Sequence, residues 1–378
     1  MDEGQKKIAF ICEDLSVEMG GQAVTIPNLG RALSKEGAMV TYFAGKRFGS
    51  FRNENSEKQN SDGNFVYFTY FGLRFKFSFS LFFLILFRRK KIDIIHCNNI
   101  WNFVPIIAYL ASKLIRKPYV FSLRGMAMYE DIYSSNLKRV LFYCFFKKIL
   151  KGSKFLHITS EEERKSLRLL DIETKAILIP HGLERKIPNL KFSEVNDLRS
   201  EKKKIIFVGR VCEHKNLEIL IEAFSLFLKD FPQWNLTIVG PIEDKPYYSS
   251  LITIINKHSL NEKINFIGNQ IGSDLDKEYL EASIFASTSK SENFGMAIAE
   301  ALGFGLPCLA PKNSPWKIIE ENNVGYQIRG NTKEVSLALS LTAGNLINNK
   351  KVFLSAINCV KSLSWEKQAI IMLDSYNA

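Results

Sequence analysis

Short apolar, β-rich runs alternate with longer helical stretches along this chain, and that rhythm constrains its fold more than any other feature. In the first half the runs are Lys7 to Cys12, Met39 to Ala44, Phe65 to Phe71, Ile92 to Cys97, Tyr119 to Leu123, Phe155 to Thr159 and Ala176 to Pro180. Between them lie helical patterns at Ala23 to Glu36, Phe103 to Leu114, Leu137 to Leu150 and Glu161 to Leu170. Strand and helix in turn predict a parallel sheet with crossover helices on its faces.

The rhythm breaks after Ile179-Pro180-His181-Gly182, where a polar stretch with Pro188 carries little periodic hydrophobicity. It then resumes with strands at Lys204 to Val208, Asn235 to Val239, Ile264 to Ile267, Ile284 to Ala286, Leu306 to Ala310 and Gly325 to Ile328. The chain's 378 residues exceed what one core usually organises. The expected fold class is therefore α/β, with two Rossmann-like, doubly wound parallel-sheet domains facing a cleft. Residues 1–185 form the first domain, 186–203 a linker and 204–361 the second domain, while 362–378 form a terminal helix that crosses back to the first.

Charge divides unequally between these halves. Residues 1–190 hold 30 Lys plus Arg against 18 Asp plus Glu, and the remainder holds 21 of each, so the net +12 is all N-terminal. An anionic membrane surface accounts for such a basic domain as well as nucleic acid does. The run Ser78 to Phe87 is almost wholly aromatic or aliphatic and ends in Arg88-Arg89-Lys90-Lys91. It is too short to span a bilayer and reads either as a buried helix with a solvated basic end or as an interfacial helix. Six scattered cysteines without metal-ligand spacing read as buried thiols in a reducing compartment, and no secretory apolar core precedes the first strand. A cytoplasmic protein, peripheral on the inner face of the membrane, is expected.

Four motifs carry chemistry. Gly20 and Gly21 sit where the chain leaves the first strand and enters a helix, which lets backbone N–H groups approach a ligand; the third glycine of the dinucleotide fingerprint is absent. Arg210 and Lys215 flank the turn after the first strand of the second domain, at the edge where doubly wound sheets bind ligands, and two cations beside a helix N-terminus suit a diphosphate. Glu292 and Glu300 lie eight positions apart across Asn293-Phe294-Gly295-Met296 and fall near one helix face. Asp274-Leu275-Asp276 has the spacing of a divalent-metal motif, but an N-terminal cap and a first-turn acid explain it, and no metal site is assigned.

Taken in order, the Gly20-Gly21 loop, Asp93-Ile94-Ile95-His96, Ile179-Pro180-His181-Gly182, Gly209-Arg210 with Lys215, the paired glutamates and Trp365-Glu366 resemble the retaining GT-B glycosyltransferases with a Glu, seven residues, Glu hallmark. The likeness covers essentially the whole chain. It implies a transferase that needs no metal or other cofactor and uses a UDP- or GDP-sugar donor. Arg210 and Lys215 would hold the diphosphate, Glu292 the sugar hydroxyls and Glu300 the ribose, with backbone groups of Phe294, Gly295 and Met296 facing sugar and phosphates. Glu292 would orient the sugar and not act as a nucleophile.

The sequence departs from that pattern twice. Ser122-Leu123-Arg124-Gly125-Met126 puts an arginine where many members have a sugar-contacting histidine, and the wording is similar to a branch that builds bacterial surface polysaccharides. Arg124 is a candidate for binding an anionic acceptor or donor phosphate, and His96 for facing the acceptor, although a strand-end histidine is more often structural. His181 replaces the usual asparagine of its turn. The expected acceptor is a lipid-linked oligosaccharide or related glycan of O-antigen, capsule or exopolysaccharide synthesis. Competing readings are a sugar-nucleotide epimerase on the same fold, or a non-catalytic protein whose basic face holds membrane or nucleic acid; the absence of a recognised nucleic-acid module argues against the last.

Overall fold

A computed structural model describes residues 5–13, 15, 21–47, 63–72, 76–183 and 191–378. The chain divides into two compact units, the first comprising Met1–Glu184 with Leu363–Ala378 and the second Arg185–Ser362.

Unit 1 holds strands β1 (Lys7–Cys12), β2 (Met39–Arg47), β3 (Asn64–Tyr70), β4 (Ile94–Cys97), β5 (Tyr119–Ser122), β6 (Leu156–Ile158) and β7 (Ala176–Leu178). They form one sheet in the order β3-β2-β1-β4-β5-β6-β7, with every pair parallel. Alternation along β1 divides its side chains between two cores. Ala9 and Ile11 join the cluster with Phe43, Phe68 and Phe121, while Ile8, Phe10 and Cys12 join helix Gly21–Lys35 and the terminal helix Trp365–Asn377 on the other face. Burial on both faces is why β1 reads as an unbroken apolar run.

Unit 2 holds β8 (Lys204–Val208), β9 (Asn235–Val239), β10 (Ile264–Gly268), β11 (Ile284–Ala286), β12 (Cys308–Pro311) and β13 (Gly325–Ile328), all parallel, in the order β10-β9-β8-β11-β12-β13. In both units the chain winds outward from its first strand and then returns to that strand's other side. The order therefore reverses between β1 and β4, and again between β8 and β11. At such a reversal neighbouring loops leave in opposite directions and open a crevice at the strands' C-terminal ends.

Several local expectations change. The polar stretch 186–203 carries helix Phe192–Lys202. Its buried Arg199 donates to the carbonyls of Tyr279, Leu280, Phe304 and Gly305, tying together the ends of helices Gly272–Glu281 and Met296–Gly303. A further helix, Lys350–Val360, is capped by the Asn349 side chain. Asp274 is not a cap: the helix starts at Gly272 with Ile271 in the capping position, and Asp274 lies in its first turn. The thiols are not uniformly buried, since Cys144 is exposed and Cys212 and Cys359 are half-buried.

Of the two readings of Ser78 to Phe87, full burial does not hold for helix Phe79–Phe87, which is buried along one face only. Leu81 and Ile85 face the core, whereas Phe79, Phe83 and Phe87 are 65%, 52% and 84% exposed at i, i+4 and i+8. Arg89, Lys90 and Lys91 follow in solvent. The helix packs on Phe103–Ile115, which exposes Leu110 and Leu114 beside Lys113 and Arg116. Among the described residues no helix is long and apolar enough to cross a membrane.

Candidate functional site

The second unit's site forms around the β8/β11 reversal. The turn after β8 needs close backbone contact: a Cβ on Gly240 would stand 1.9 Å from the carbonyl oxygen of Gly209. Beyond it Arg210 donates to Glu243 at 2.6 Å, with both side chains about half exposed. A one-turn 3₁₀ segment, Glu213–Lys215, then leads through Asn216 into helix Leu217–Phe227.

Lys215 reaches across the reversal, where its Nζ donates to Glu292 Oε1 at 2.6 Å with the side chains 16% and 15% exposed. Ser289 donates to the same oxygen at 2.7 Å. The loops after β8 and β11 are laced by backbone as well. Lys290 N–H donates to the His214 carbonyl, and the Thr288 hydroxyl to the Asn216 carbonyl at 2.9 Å. A cavity of about 380 Å³ opens beside this lacing, lined in part by Asn216, Ser289, Lys290 and Arg329.

From Glu292 the chain turns into helix Met296–Gly303. Its capping residue is Gly295 at φ 78, ψ 64, a left-handed conformation that favours glycine, and no side chain caps the first-turn amides. The Ile298 N–H donates to the Gly295 carbonyl at 3.0 Å, and the dipole at this end of the helix favours an anion near the amides that precede it. Trp316 holds the entry by donating from its indole N–H to the Phe294 carbonyl while its ring meets Phe294 edge-on at 5.6 Å. Glu292 N–H donates to the Asn313 carbonyl, so the loop after β12 braces the same segment. Further along the helix Glu300 accepts from the Tyr279 hydroxyl at 2.9 Å.

The structure thus joins Lys215 to Glu292 but pairs Arg210 with Glu243. Sequence reasoning gave no role to Ser289, Tyr279 or Glu243; Tyr279 and Glu243 lie 21 and 33 positions from the residues they support, whereas Ser289 stands only three positions before Glu292. Among the described residues no group of three or more His, Cys, Asp or Glu side chains is arranged to hold a metal ion.

In unit 1, Gly20 lies outside the described residues, and Gly21 is the exposed first residue of its helix. His96 is wholly buried within a polar chain. His157 Nε2 can only donate to its partner, the Ile179 carbonyl at 2.8 Å, so in the neutral ring Nδ1 accepts from the Ser122 hydroxyl. Ser122 Oγ then accepts from His96 Nε2 at 2.5 Å, and His96 Nδ1 accepts from Tyr376 on the terminal helix. Burial holds His96 and His181 well below the usual histidine range and His157 down to about 3, so the rings stay neutral.

Arg124 follows β5 in a left-handed conformation, φ 50. Its side chain donates from Nη1 to Thr25 Oγ1 at 2.7 Å and from Nη2 to Asn98 Oδ1 at 3.3 Å, and among the described residues Nε has no acceptor. Burial lowers its pKa to about 10.

Comparison with known proteins decides the family. Residues 19–186 match the family model described as Glycosyltransferase Family 4, and residues 189–342 that of Glycosyl transferases group 1. The chain belongs to this glycosyltransferase family. An uncharacterized glycosyltransferase of Haemophilus influenzae is 27% identical over 200 residues, 52% of this chain and 53% of that protein, so the match spans about half of each. The alpha-monoglucosyldiacylglycerol synthase of Streptococcus pneumoniae is 24% identical over 329 residues, 81% of this chain and 71% of that one. In fold, the glycosyltransferase is similar to Anabaena HepE, solved in complex with UDP and glucose, with a TM-score of 0.77 at 16% identity over 99% of this chain and 100% of the other. The two all-parallel Rossmann-like units are those of the GT-B fold.

Proposed function

We propose that this glycosyltransferase moves a sugar from a UDP- or GDP-sugar to a lipid-linked oligosaccharide during surface polysaccharide or lipopolysaccharide synthesis, with retention of anomeric configuration and without a metal ion. The observation that carries the reading is the Lys215–Glu292 pair at the β8/β11 reversal, beside a helix N-terminus with no side-chain cap. As the bond between sugar and diphosphate breaks, negative charge grows on the leaving phosphate. Lys215 and Arg210 supply fixed positive charge there, and the amides at Met296 and Ala297 add donors, which is the work a divalent metal does elsewhere. Glu292, already oriented by Lys215 and Ser289, accepts from the sugar hydroxyls, and Glu300, oriented by Tyr279, accepts from the ribose. With Glu292 occupied in this way, acceptor attack comes from the leaving-group face.

A lipid-borne acceptor is supported by unit 1. Phe79, Phe83 and Phe87 on one helix and Leu110 and Leu114 on the helix packed against it are exposed, as are Arg89, Lys90, Lys91, Lys113 and Arg116 in the same segments, and that composition suits a peripheral protein on anionic lipid. The pneumococcal relative's name is that of a glycolipid synthase, which accords with such an acceptor.

The test is transfer of radiolabel from UDP- and GDP-sugars to polyprenyl-diphosphate glycans in anionic vesicles, with EDTA present. Label in the organic phase supports the proposal. Release of free sugar nucleotide isomers without transfer points to the epimerase reading.

A further inference from the structure

Arg124 lies at the C-terminal edge of the seven-stranded sheet, beside the β1/β4 reversal, and the donor chemistry proposed for unit 2 does not use it. Three crossovers meet there: Thr25 comes from the helix after β1, Asn98 follows β4 and Arg124 follows β5. The guanidinium has five N–H donors and two acceptors, both neutral oxygens. Among the described residues it makes no ion pair. Glu163 is the carboxylate in its field, yet Oε1 accepts the Gly125 amide and Oε2 accepts the amide and hydroxyl of Thr159. Cys12 is a neutral thiol, its pKa pushed up to about 12 by burial.

A permanent cation this deeply buried is costly unless an anion answers it. Among the described residues Arg124 Nε nonetheless finds no acceptor and each terminal nitrogen donates to one oxygen, while 8% of the residue's surface stays exposed. The Thr25 hydroxyl, which accepts from Arg124, retains its own proton to donate. Several donors converging around one positive charge suit a multivalent oxyanion better than a neutral hydroxyl. We propose that Arg124, with Thr25, forms a phosphate-binding subsite in unit 1. Resting on the transferase reading, the phosphate belongs either to the acceptor, as the diphosphate of a lipid-linked glycan, or to the donor.

The probe is inorganic pyrophosphate, titrated calorimetrically into the full chain carrying Lys215→Ala, which weakens the other diphosphate site, with and without Arg124→Gln or Arg124→Lys. Loss of the charge-assisted bonds should weaken pyrophosphate binding at least about tenfold in Arg124→Gln and less in Arg124→Lys. Thermal stability should stay level or rise in Arg124→Gln, because an unanswered buried charge is removed. A purely structural arginine would instead lower it. UDP and GDP affinity, measured with Lys215 intact, identifies the source: unchanged by Arg124→Gln it assigns the phosphate to the acceptor, and weakened in parallel it assigns it to the donor. Equal pyrophosphate affinity in folded Arg124→Gln, or none in the Lys215→Ala parent, overturns the subsite. Failure of the transferase reading would show separately, as nucleotide binding indifferent to Lys215→Ala.

Discussion

Lys215 Nζ donates to Glu292 Oε1 across 2.6 Å, joining the turn after β8 to the loop after β11 at the point where strand order reverses. Replacing Lys215 by Ala removes the cation while Ser289 still holds the carboxylate. The variant should fold, losing about 1–2 kcal/mol of stability to urea, because one charged hydrogen bond is removed. Its kcat/KM for transfer should fall roughly 100-fold or more, the usual cost of losing a group aimed at developing charge. Near-normal transfer by the folded variant would remove Lys215 from the chemistry.

Gly295→Ala tests the entry to the donor-site helix. A Cβ there would lie 2.9 Å from Ile298 Cδ1 and 3.2 Å from Trp316 Nε1, in a backbone conformation that L-residues rarely adopt. Stability should drop by about 1–2 kcal/mol from the left-handed conformation alone. Tilting the first-turn amides should also weaken nucleotide binding, read by titration calorimetry, more than it weakens folding of unit 1.

Stability should depend on pH through the buried histidines. His96, His157 and His181 are neutral in the folded chain because burial lowers their pKa values, to about 3 for His157. The unfolded chain binds protons at these rings below about 6.5, so it gains protons that the folded chain refuses. Their contribution is complete above pH 6.5 and is lost as the pH falls below it, toward about 3 in the case of His157, by up to about 1.4 kcal/mol per pH unit for each ring. Urea unfolding at pH 7.5, 6.5 and 5.5 should show the decline, and His157→Gln should flatten it.

Phe83→Ser with Phe87→Ser should leave folding intact, since both rings stand in solvent. Partitioning onto vesicles containing anionic lipid should fall roughly tenfold or more, given about 1.5–3 kcal/mol for each phenylalanine buried in lipid. Sedimentation with vesicles measures it. Equal partitioning of variant and parent would assign the exposed stripe to some other partner.

The sheets were legible in the chain because parallel strands buried on both faces leave continuous apolar runs, as Lys7–Cys12 and Lys204–Val208 do. Helix Phe192–Lys202 was not, because most of its residues are polar and what fastens it is Arg199 binding carbonyls about 80 to 106 positions away. The turn after β8 and the Glu292 loop could be read as candidates for one site, but their pairing could not. Lys215 and Glu292 meet across 77 positions, and Arg210 finds Glu243 instead. Nothing in the run of three glutamates at 161–163 singles out Glu163, yet it alone of the three is buried, where it accepts from the amides of Gly125 and Thr159.

The most direct measurement of the central claim is a thermal-shift panel of UDP- and GDP-sugars, with EDTA, on the wild-type chain and Glu300→Ala. A ligand that binds only the folded state raises the transition temperature, by about 2.7 kcal/mol of stabilisation at 100 times Kd. The account predicts that one nucleotide class stabilises the wild type, that EDTA makes no difference, and that Glu300→Ala weakens the shift by removing the ribose contact. A shift that EDTA abolishes, or one equal in wild type and Glu300→Ala, would contradict the donor site described for β8, β11 and the helix from Met296.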